Sequence, residues 1–324
     1  MTTKDLNNSK PRRNTMRKAL LILGIIIVII LAGCRAKTAT KEGAAFVEEF
    51  RRGTQGLVMR FTPNMPPTRL FSGEQLAVVL EVENRGTFPV GGPGDRIYLS
   101  GFDPNIISGI SPAGEQIPLL EGRTQFISQG GFDTVTFRAN TRILQDRYPV
   151  TLLATACYGY ETVATANVCI DPNPFAPGIM QKVCVPQNVG LGGGQGAPIA
   201  VNLIEVDASP GKTRFKIHVS NVGGGDVFRS GGDALNRCAP GGMLGFDEID
   251  YVELQDVIVS GVSIRGSCKP LDYGHIRLTN RQGVVYCEFS SPRGDAAYIT
   301  PITVVLRYGY RDSLIRNIEI LPSI

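Results

Sequence analysis

The cysteines are the residues of this 324-residue chain whose type and spacing most clearly predict chemistry. Six follow Cys34, and they divide evenly between the two halves of the chain: Cys157, Cys169 and Cys184 in the first, and Cys238, Cys268 and Cys287 in the second. An even number of cysteines favours disulfides in an oxidising compartment. Because each half holds an odd number, complete pairing requires at least one bridge between the halves.

One disulfide can be predicted from its local sequence. Cys268 and Cys287 lie on predicted strands that flank the turn sequence NRQG, so they are expected to face each other. Two arrangements are open for the other four cysteines: Cys169–Cys184 with Cys157–Cys238, or Cys157–Cys169 with Cys184–Cys238. The first closes a proline-rich loop of about 15 residues, which would stabilise the fold by roughly 3 kcal/mol in the chain-entropy model.

The same cysteines give little support for a metal site or a reactive thiolate. No Cys-x₂-Cys pair occurs, and neither His218 nor His275 lies beside a cysteine pair, so zinc is not expected. Nothing near either histidine suggests an environment that would stabilise a thiolate. His218 is predicted to be an outward or half-buried strand residue. We therefore expect no catalytic residue, no metal and no cofactor.

Two acidic stretches and one glycine-rich stretch are candidate ligand sites. The acids in FDPN (102–105) and FDEID (246–250) lack EF-hand spacing, and we expect solvated turn residues there rather than calcium ligands. GLGGGQG (190–196) resembles a phosphate loop, but such a loop needs a helix after it. The following APIAVNLIEV predicts a strand, so the glycines indicate a linker.

The N-terminal segment combines a basic flank with fifteen uncharged residues, Ala19 to Gly33. Such a short apolar stretch ending in small residues is typical of a secretory signal peptide. Leu31-Ala32-Gly33-Cys34 is similar to the lipobox of lipoprotein precursors, and that resemblance implies that Cys34 becomes a lipidated N-terminus. The alternative is an uncleaved anchor helix. Both place residues 35–324 outside the cytoplasm, in the cell envelope, because the basic flank stays inside.

The net charge of +4 belongs to this leader. Residues 1–33 contain six of the 33 basic residues and one of the 29 acidic residues, which leaves 27 basic and 28 acidic residues in the rest of the chain. The exported part is therefore close to neutral. We expect no nucleic-acid partner, because binding to a phosphate backbone needs a basic surface.

An internal repeat is visible in four segments that recur in the same order. They are VENRG and VSNVG (82–86, 219–223), GGFDTVTF and RQGVVYCEF (130–137, 281–289), PVT and PIT (149–151, 301–303), and YGY and YGY (158–160, 308–310). The offset is 137 for the first pair, 152 for the next two and 150 for the last. We infer two copies of one domain. The recurrence of the tyrosines in both copies favours a packing role over a binding face.

Within each copy, apolar and polar residues alternate as they do in half-buried strands. LAVVLEVEN and RFKIHVSN show this pattern, and each is followed by the Asn-x-Gly turn signal. The closing segments are predicted to be hairpins that turn near Glu161-Thr162 and Arg311-Asp312. Several short strands over ~100 residues predict an immunoglobulin-like sandwich.

The predicted fold class is therefore all-β, with two tandem immunoglobulin-like β-sandwich domains after an N-terminal hydrophobic helix. The predicted divisions are a leader or anchor (1–34), a stalk (35–56), a first sandwich (57–171), a Pro/Gly-rich linker (172–196) and a second sandwich (197–324).

The strand ending in Asn-x-Gly and the Tyr-rich closing segment resemble CARDB-type and related immunoglobulin-like domains of bacterial and archaeal surface proteins. The leader with two domains, and phrases such as GLVMRFTPNMPP, are also similar to envelope proteins of small-genome archaea. The resemblance implies adhesion or scaffolding and brings no catalytic residues. We expect a noncatalytic, membrane-anchored protein that binds an envelope protein or polymer. The alternatives are an accessory subunit of a secretion, filament or S-layer assembly, and an extracellular hydrolase.

Overall fold

The computed structural model describes residues 49–176, 182–192, 194–231, 233–291 and 296–323. The predicted leader, the lipidation site at Cys34 and most of the predicted stalk lie outside these residues.

The described chain is almost entirely β-structure, which confirms the predicted all-β class. Its seventeen strands are β1 (Leu57–Phe61), β2 (Arg69–Phe71), β3 (Gln75–Asn84), β4 (Arg96–Ser100), β5 (Ile107–Ser108), β6 (Glu115–Gln116), β7 (Phe132–Thr141), β8 (Tyr148–Ile170), β9 (Val189–Gly190), β10 (Ile199–Ser209), β11 (Lys212–Asn221), β12 (Asp226–Phe228), β13 (Tyr251–Val259), β14 (Val262–Ser263), β15 (His275–Arg277), β16 (Gln282–Ser290) and β17 (Tyr298–Leu321). Helical structure in the described residues is limited to 3₁₀ turns at Glu49–Arg51 and Arg265–Ser267 and to the short helix α1 (Ala234–Arg237).

Two four-stranded sheets correspond to the two copies of the repeat. Their strand orders are β1-β3-β7-β5 and β16-β11-β10-β9. In β3 and β11 buried side chains alternate with more exposed ones, as the sequence pattern predicts. Phe137 on β7 and Phe289 on β16, which match in the repeat, are both buried. The recurring segments therefore occupy equivalent strands.

A third sheet of nine strands joins the copies, and its central pair is β8 with β17. These strands run antiparallel along their full lengths, from Tyr148 opposite Ile320 to Ile170 opposite Tyr298. Each is roughly 75 Å long at about 3.3 Å per residue. Gly159 lies opposite Gly309 at the centre. The two Tyr-Gly-Tyr sequences are therefore direct neighbours across the pair.

The predicted hairpins in the closing segments are wrong, because each segment is one continuous strand. At Glu161-Thr162 buried and more exposed side chains continue to alternate, and the polar side chains bond partners on β17. Arg307 donates to Glu161 at 2.9 Å, and the hydroxyl groups of Thr162 and Tyr308 lie 2.8 Å apart in the core. Glu161 and Thr162 also lack the tolerance for left-handed backbone that a tight turn requires. Each segment pairs with its copy instead of with itself.

Each long strand also contacts the other copy. On β8, the Thr162 hydroxyl donates to the Ile199 carbonyl oxygen at 2.8 Å. The C-terminal end of β17 pairs in parallel with β2, where Glu319 lies opposite Arg69. Nearby, the guanidinium of Arg316 lies 5.9 Å from the centre of the Phe61 ring. One cluster of buried hydrophobic residues includes members of both copies. The division into two domains at 57–171 and 197–324 stays a prediction, and the structure adds that the copies share strands and core.

The two central glycines are supported by different neighbours. The ring of Phe228 covers Gly309 so closely that a Cβ there would collide with it. At Gly159 the buried carboxylate of Asp95 accepts the peptide N–H at 2.9 Å, and its other oxygen accepts N–H groups from Gly91 and Gly92. Burial raises the pKa of Asp95 despite these donors. At this point of β8, the Asp95 carboxylate accepts the hydrogen bond that a carbonyl oxygen of a neighbouring strand would otherwise accept.

Around this centre lies a cluster of four buried tyrosines, Tyr158, Tyr160, Tyr308 and Tyr310. All are at most 2% exposed, and neighbouring ring centres lie 5.9–6.3 Å apart. The cluster packs the core between the copies, as the recurrence of these residues suggested. Burial raises the pKa of all four phenols, and for Tyr310 the pKa rises to about 12.

We expect the four buried tyrosines to ionise only when the protein unfolds. The folded protein holds these protons more tightly than the unfolded chain does, so their stabilisation is complete below about pH 10 and is lost as the pH rises toward the folded-state pKa values. Tyrosinate absorbance and circular dichroism, followed together in an alkaline titration, check this. Of the ten tyrosines, the clustered four should ionise together with loss of the β-sheet signal.

Two variants assign the phases of this titration. Tyr158→Phe should remove absorbance from the late phase, whereas Tyr273→Phe, at a residue that is 93% exposed, should remove it from the early phase. Ionisation of all ten tyrosines near pH 10 with an intact β-sheet signal would contradict the buried cluster.

Candidate functional site

The Asn-x-Gly turn after β3 is held by the side chain of its asparagine. Asn84 is fully buried, and its Nδ2 donates to the carbonyl oxygens of Phe88 at 2.7 Å and Leu120 at 3.1 Å. The Tyr160 hydroxyl donates to Asn84 Oδ1 at 3.3 Å and accepts from the Phe88 N–H at 3.3 Å. The turn is therefore fixed to the tyrosine cluster by three mutually bonded residues.

The second copy repeats this arrangement after β11. Asn221 Nδ2 donates to the carbonyl oxygen of Gly225 at 3.0 Å. The Tyr310 hydroxyl donates to Asn221 Oδ1 at 3.2 Å and accepts from the Gly225 N–H at 2.9 Å. Gly225 stands where Phe88 stands in the first copy. Both signals found in the sequence, Asn-x-Gly and Tyr-Gly-Tyr, therefore belong to one hydrogen-bonded junction in each copy.

The junction also explains the glycine of each turn. A Cβ at Gly86 would collide with the Tyr160 hydroxyl, and a Cβ at Gly223 would collide with the Tyr310 hydroxyl. Only glycine lets the tyrosine reach the turn. A cleft opens beside the junction in each copy.

The first cleft has a volume of about 230 Å³. Its charged and amide-bearing lining residues are Arg52, Gln55, Glu83, Arg85, Arg123 and Gln129. They come from the segment before β1, the end of β3 with its turn, and the loop that precedes β7. The glycine-rich linker is bonded to a residue that lines the cleft, because the Gly196 N–H donates to the Gly53 carbonyl oxygen at 2.9 Å.

The arginines of the first cleft differ in how they are held. Arg85 Nε donates to Glu83 at 2.8 Å, and the same carboxylate oxygen accepts from Arg60 at 3.2 Å. The guanidinium of Arg123 donates to the Arg52 carbonyl oxygen, while its Nε is buried without a partner among the described residues. The Arg52 side chain is exposed and makes no hydrogen bond or ion pair with any described residue. The lining thus holds three cations and one carboxylate.

The second cleft has a volume of about 470 Å³ and is lined by residues of β10, β11, β15 and β16 next to the turn of the second copy. Its polar lining residues are Asn202, His218, Ser220, Arg277, Thr279 and Gln282. Asn202 donates to Ser220 at 2.8 Å, and His218 Nε2 lies 2.6 Å from Glu205. His218 is half-buried on β11, which agrees with its predicted strand position.

Two lining positions of the first cleft have repeat counterparts that line the second cleft. Ser220 stands where Glu83 stands in the first copy, whereas Val222, which stands where Arg85 stands, does not line the second cleft. Gln282 stands where Gly130 stands. The junction is kept in both copies, while the clefts beside it are lined by different side chains. The first cleft is cationic, and the second is lined mainly by neutral hydrogen-bonding groups.

The structure contains three disulfides: Cys157–Cys238, Cys169–Cys184 and Cys268–Cys287. This is the first of the two arrangements left open by the sequence. Cys157–Cys238 is the bridge between the halves, and it attaches the residue after α1 to β8. Five of the six half-cystines are buried. Three disulfides of this kind indicate an oxidising environment outside the cytoplasm.

The two acidic stretches contain carboxylates that bond groups of the protein itself. Asp103 accepts hydrogen bonds from its own turn, through the N–H and the side chain of Asn105. Glu248 is paired with Arg237, and this pairing lowers the pKa of Glu248. Within the described ranges, no three His, Cys, Asp or Glu side chains are grouped as a metal site would require.

As predicted, the glycine-rich stretch is followed by a strand, β10, and not by a helix. Its described residue Gln195 is buried, and its side-chain amide bonds both the N–H and the carbonyl of Val201, at 2.9 and 3.1 Å. This segment is hydrogen-bonded to the first cleft through Gly196 and Gly53, and it lacks the strand–loop–helix context of a phosphate loop.

Sequence reasoning missed the three arginines of the first cleft. Arg52, Arg85 and Arg123 lie far apart in the chain, so no spacing could reveal that they converge. The available signal was the change from Asn-Arg-Gly in the first copy to Asn-Val-Gly in the second. A charged residue in only one of two matched turns is a site where the copies have diverged.

Comparisons with known proteins do not assign a family: no protein-family model matches the chain, and no curated protein is significantly similar to it. Among the described residues, no helix is both long enough and apolar enough to cross a bilayer.

Removing the bridge between the halves should cost more stability than removing the bridge within the second copy. Cys157–Cys238 spans 81 residues and Cys268–Cys287 spans 19. The chain-entropy model gives about 4.5 kcal/mol for the longer loop and about 3 kcal/mol for the shorter one. The free energy of unfolding in urea, measured for C157A/C238A and C268A/C287A, checks this.

These two double variants are matched, because all four cysteines are buried. A smaller loss of stability in C157A/C238A than in C268A/C287A would contradict the role of the longer bridge in joining the copies.

Proposed function

We propose that this chain is a noncatalytic binding or scaffolding protein of the cell envelope. Residues 1–34 hold it at the membrane, through lipid on Cys34 or as an uncleaved helix, and residues 35–324 lie outside the cytoplasm. Its partner is an envelope protein or polymer. Recognition takes place at the two clefts beside the Asn–Tyr junctions.

The observation that carries this proposal is the contrast between the junctions and the clefts. Asn84 with Tyr160 and Asn221 with Tyr310 make corresponding hydrogen bonds. The cleft linings above them differ in charge. A retained frame with divergent contact residues is typical of proteins that carry binding sites on a rigid β scaffold.

The position outside the cytoplasm is supported by the disulfides, which form and persist in oxidising compartments. The basic flank of the leader supports the orientation.

An accessory subunit of a secretion, filament or S-layer assembly is the second candidate. It is favoured by the presence of two clefts of different chemistry in copies that share strands and core. An adaptor needs two distinct surfaces held in a fixed relation, and this arrangement provides them.

Photo-crosslinking in the host tests the proposal. A photoreactive residue placed at Gln129 in the first cleft or Gln282 in the second should give an adduct of defined mass in the membrane fraction. In the uncrosslinked protein, none of the six cysteines after Cys34 should be alkylatable. Its intact mass should show either a lipidated N-terminus at Cys34 or retention of residues 1–33.

The control position is Val262, which is 57% exposed and lies in neither cleft. Adducts that form equally from Val262 would contradict recognition at the clefts. Recovery of the protein from the cytoplasm with free thiols would contradict the assigned compartment.

A further inference from the structure

We propose that the first cleft is a binding site for a phosphate group. This inference rests on the proposed function only for the compartment in which the ligand is met, and it specifies the ligand chemistry of one of the two clefts.

The donors around the first cleft come from several directions. Arg52 precedes β1, and Arg85 lies in the turn after β3. Arg123 lies in the loop before β7, and its N–H donates to the carbonyl oxygen of Gly86 in that turn at 2.8 Å. Gln55 and Gln129 add side-chain amides. A phosphate group presents oxygens in several directions, whereas a carboxylate presents two in one plane. Guanidinium groups from three segments therefore suit phosphate.

The cleft also carries positive charge that the protein itself does not neutralise. Its single carboxylate, Glu83, is shared between Arg85 inside the cleft and Arg60 outside it. Arg52 has no ionic partner among the described residues. An anion in the cleft would relieve the repulsion among the three guanidinium groups and would satisfy donors that are otherwise left to water.

The second copy serves as an internal comparison. The turn residue equivalent to Arg85 is Val222, and the guanidinium of Arg281 is used to bond the carbonyl oxygens of Asn221 and Gly223. Arg277 lines the second cleft but donates to the Tyr251 hydroxyl at 2.7 Å. The junction therefore folds without a converging set of arginines. Their presence in the first copy is not a requirement of the turn.

The position of the cleft in the chain brings two phosphate sources within reach. Arg52 lies 18 residues after Cys34, a stretch that spans at most roughly 60 Å when fully extended. A lipid headgroup is one source, and a soluble phosphoester is the other. At about 230 Å³ the cleft has room for a phosphate group and part of the molecule that carries it.

The test is a titration of the full-length protein, purified in non-ionic detergent, with inorganic phosphate at constant ionic strength. Binding is measured by calorimetry. We expect saturable binding by the wild type, with a dissociation constant at least about tenfold lower than that of R52A or R85V. R85V places in the first turn the residue found in the second. The matched control is R138A, which removes an exposed arginine on β7 outside the cleft and should bind as the wild type does.

Failure of the wild type to bind phosphate, or equal weakening in R138A and R52A, would overturn the proposal. Either result would leave the crosslinking test of the general binding function intact. R52A alters an exposed side chain, so it remains informative if R85V unfolds. Competition then separates the sources: a short-chain phosphatidylglycerol that displaces phosphate more strongly than glycerol 3-phosphate assigns a lipid headgroup, and equal displacement assigns a soluble phosphoester.

Discussion

The antiparallel pairing of β8 with β17 is the contact on which the rest of the structure depends. It places Gly159 opposite Gly309 and so brings two tyrosines from each copy into one cluster. Burial of apolar surface, such as the rings of these four tyrosines, is the main source of stability in a β protein. Because the tyrosines are buried, their hydroxyl groups need hydrogen-bond partners. Asn84 and Asn221 provide two of those partners, and in doing so they fix the turns that border the clefts.

The symmetry of this centre is incomplete, and the differences have structural consequences. Phe228 covers Gly309, while the buried Asp95 carboxylate supports Gly159. Burial of a carboxylate is costly, as the raised pKa of Asp95 indicates, and three backbone N–H donors offset part of that cost. The bridge from Cys157 to Cys238 fixes α1 beside the same region. The two copies thus share one central pair of strands while their surroundings differ.

The sequence was informative where local pattern determines structure. Alternation predicted β3 and β11, and the recurring Tyr-Gly-Tyr predicted residues with a packing role. Alternation specifies a strand but not its neighbour, which is why the sequence of the closing segments wrongly predicts hairpins. The choice of a partner about 150 residues away depends on total burial and on complementary side chains such as Glu161 and Arg307. No local pattern contains that information.

The first cleft illustrates the same limit. Arg85 stands out by comparison with Val222, but Arg52 and Arg123 join it only after the chain has folded. The linker glycines also acquire their role in three dimensions, because Gly196 bonds both the Gly53 carbonyl and the N–H of Thr87. Residue type indicated a flexible connection, whereas the fold uses it as a fixed support for the cleft.

Residue-resolved hydrogen exchange under native conditions tests most directly whether the two copies form one structural unit. If β8 and β17 hold them together, the slowest amides of β3, β11 and the centre of the long pair should exchange with a common free energy equal to that of global unfolding. Two separate free energies, one for the sheet of β3 and another for the sheet of β11, would contradict that account and would show that the copies unfold independently.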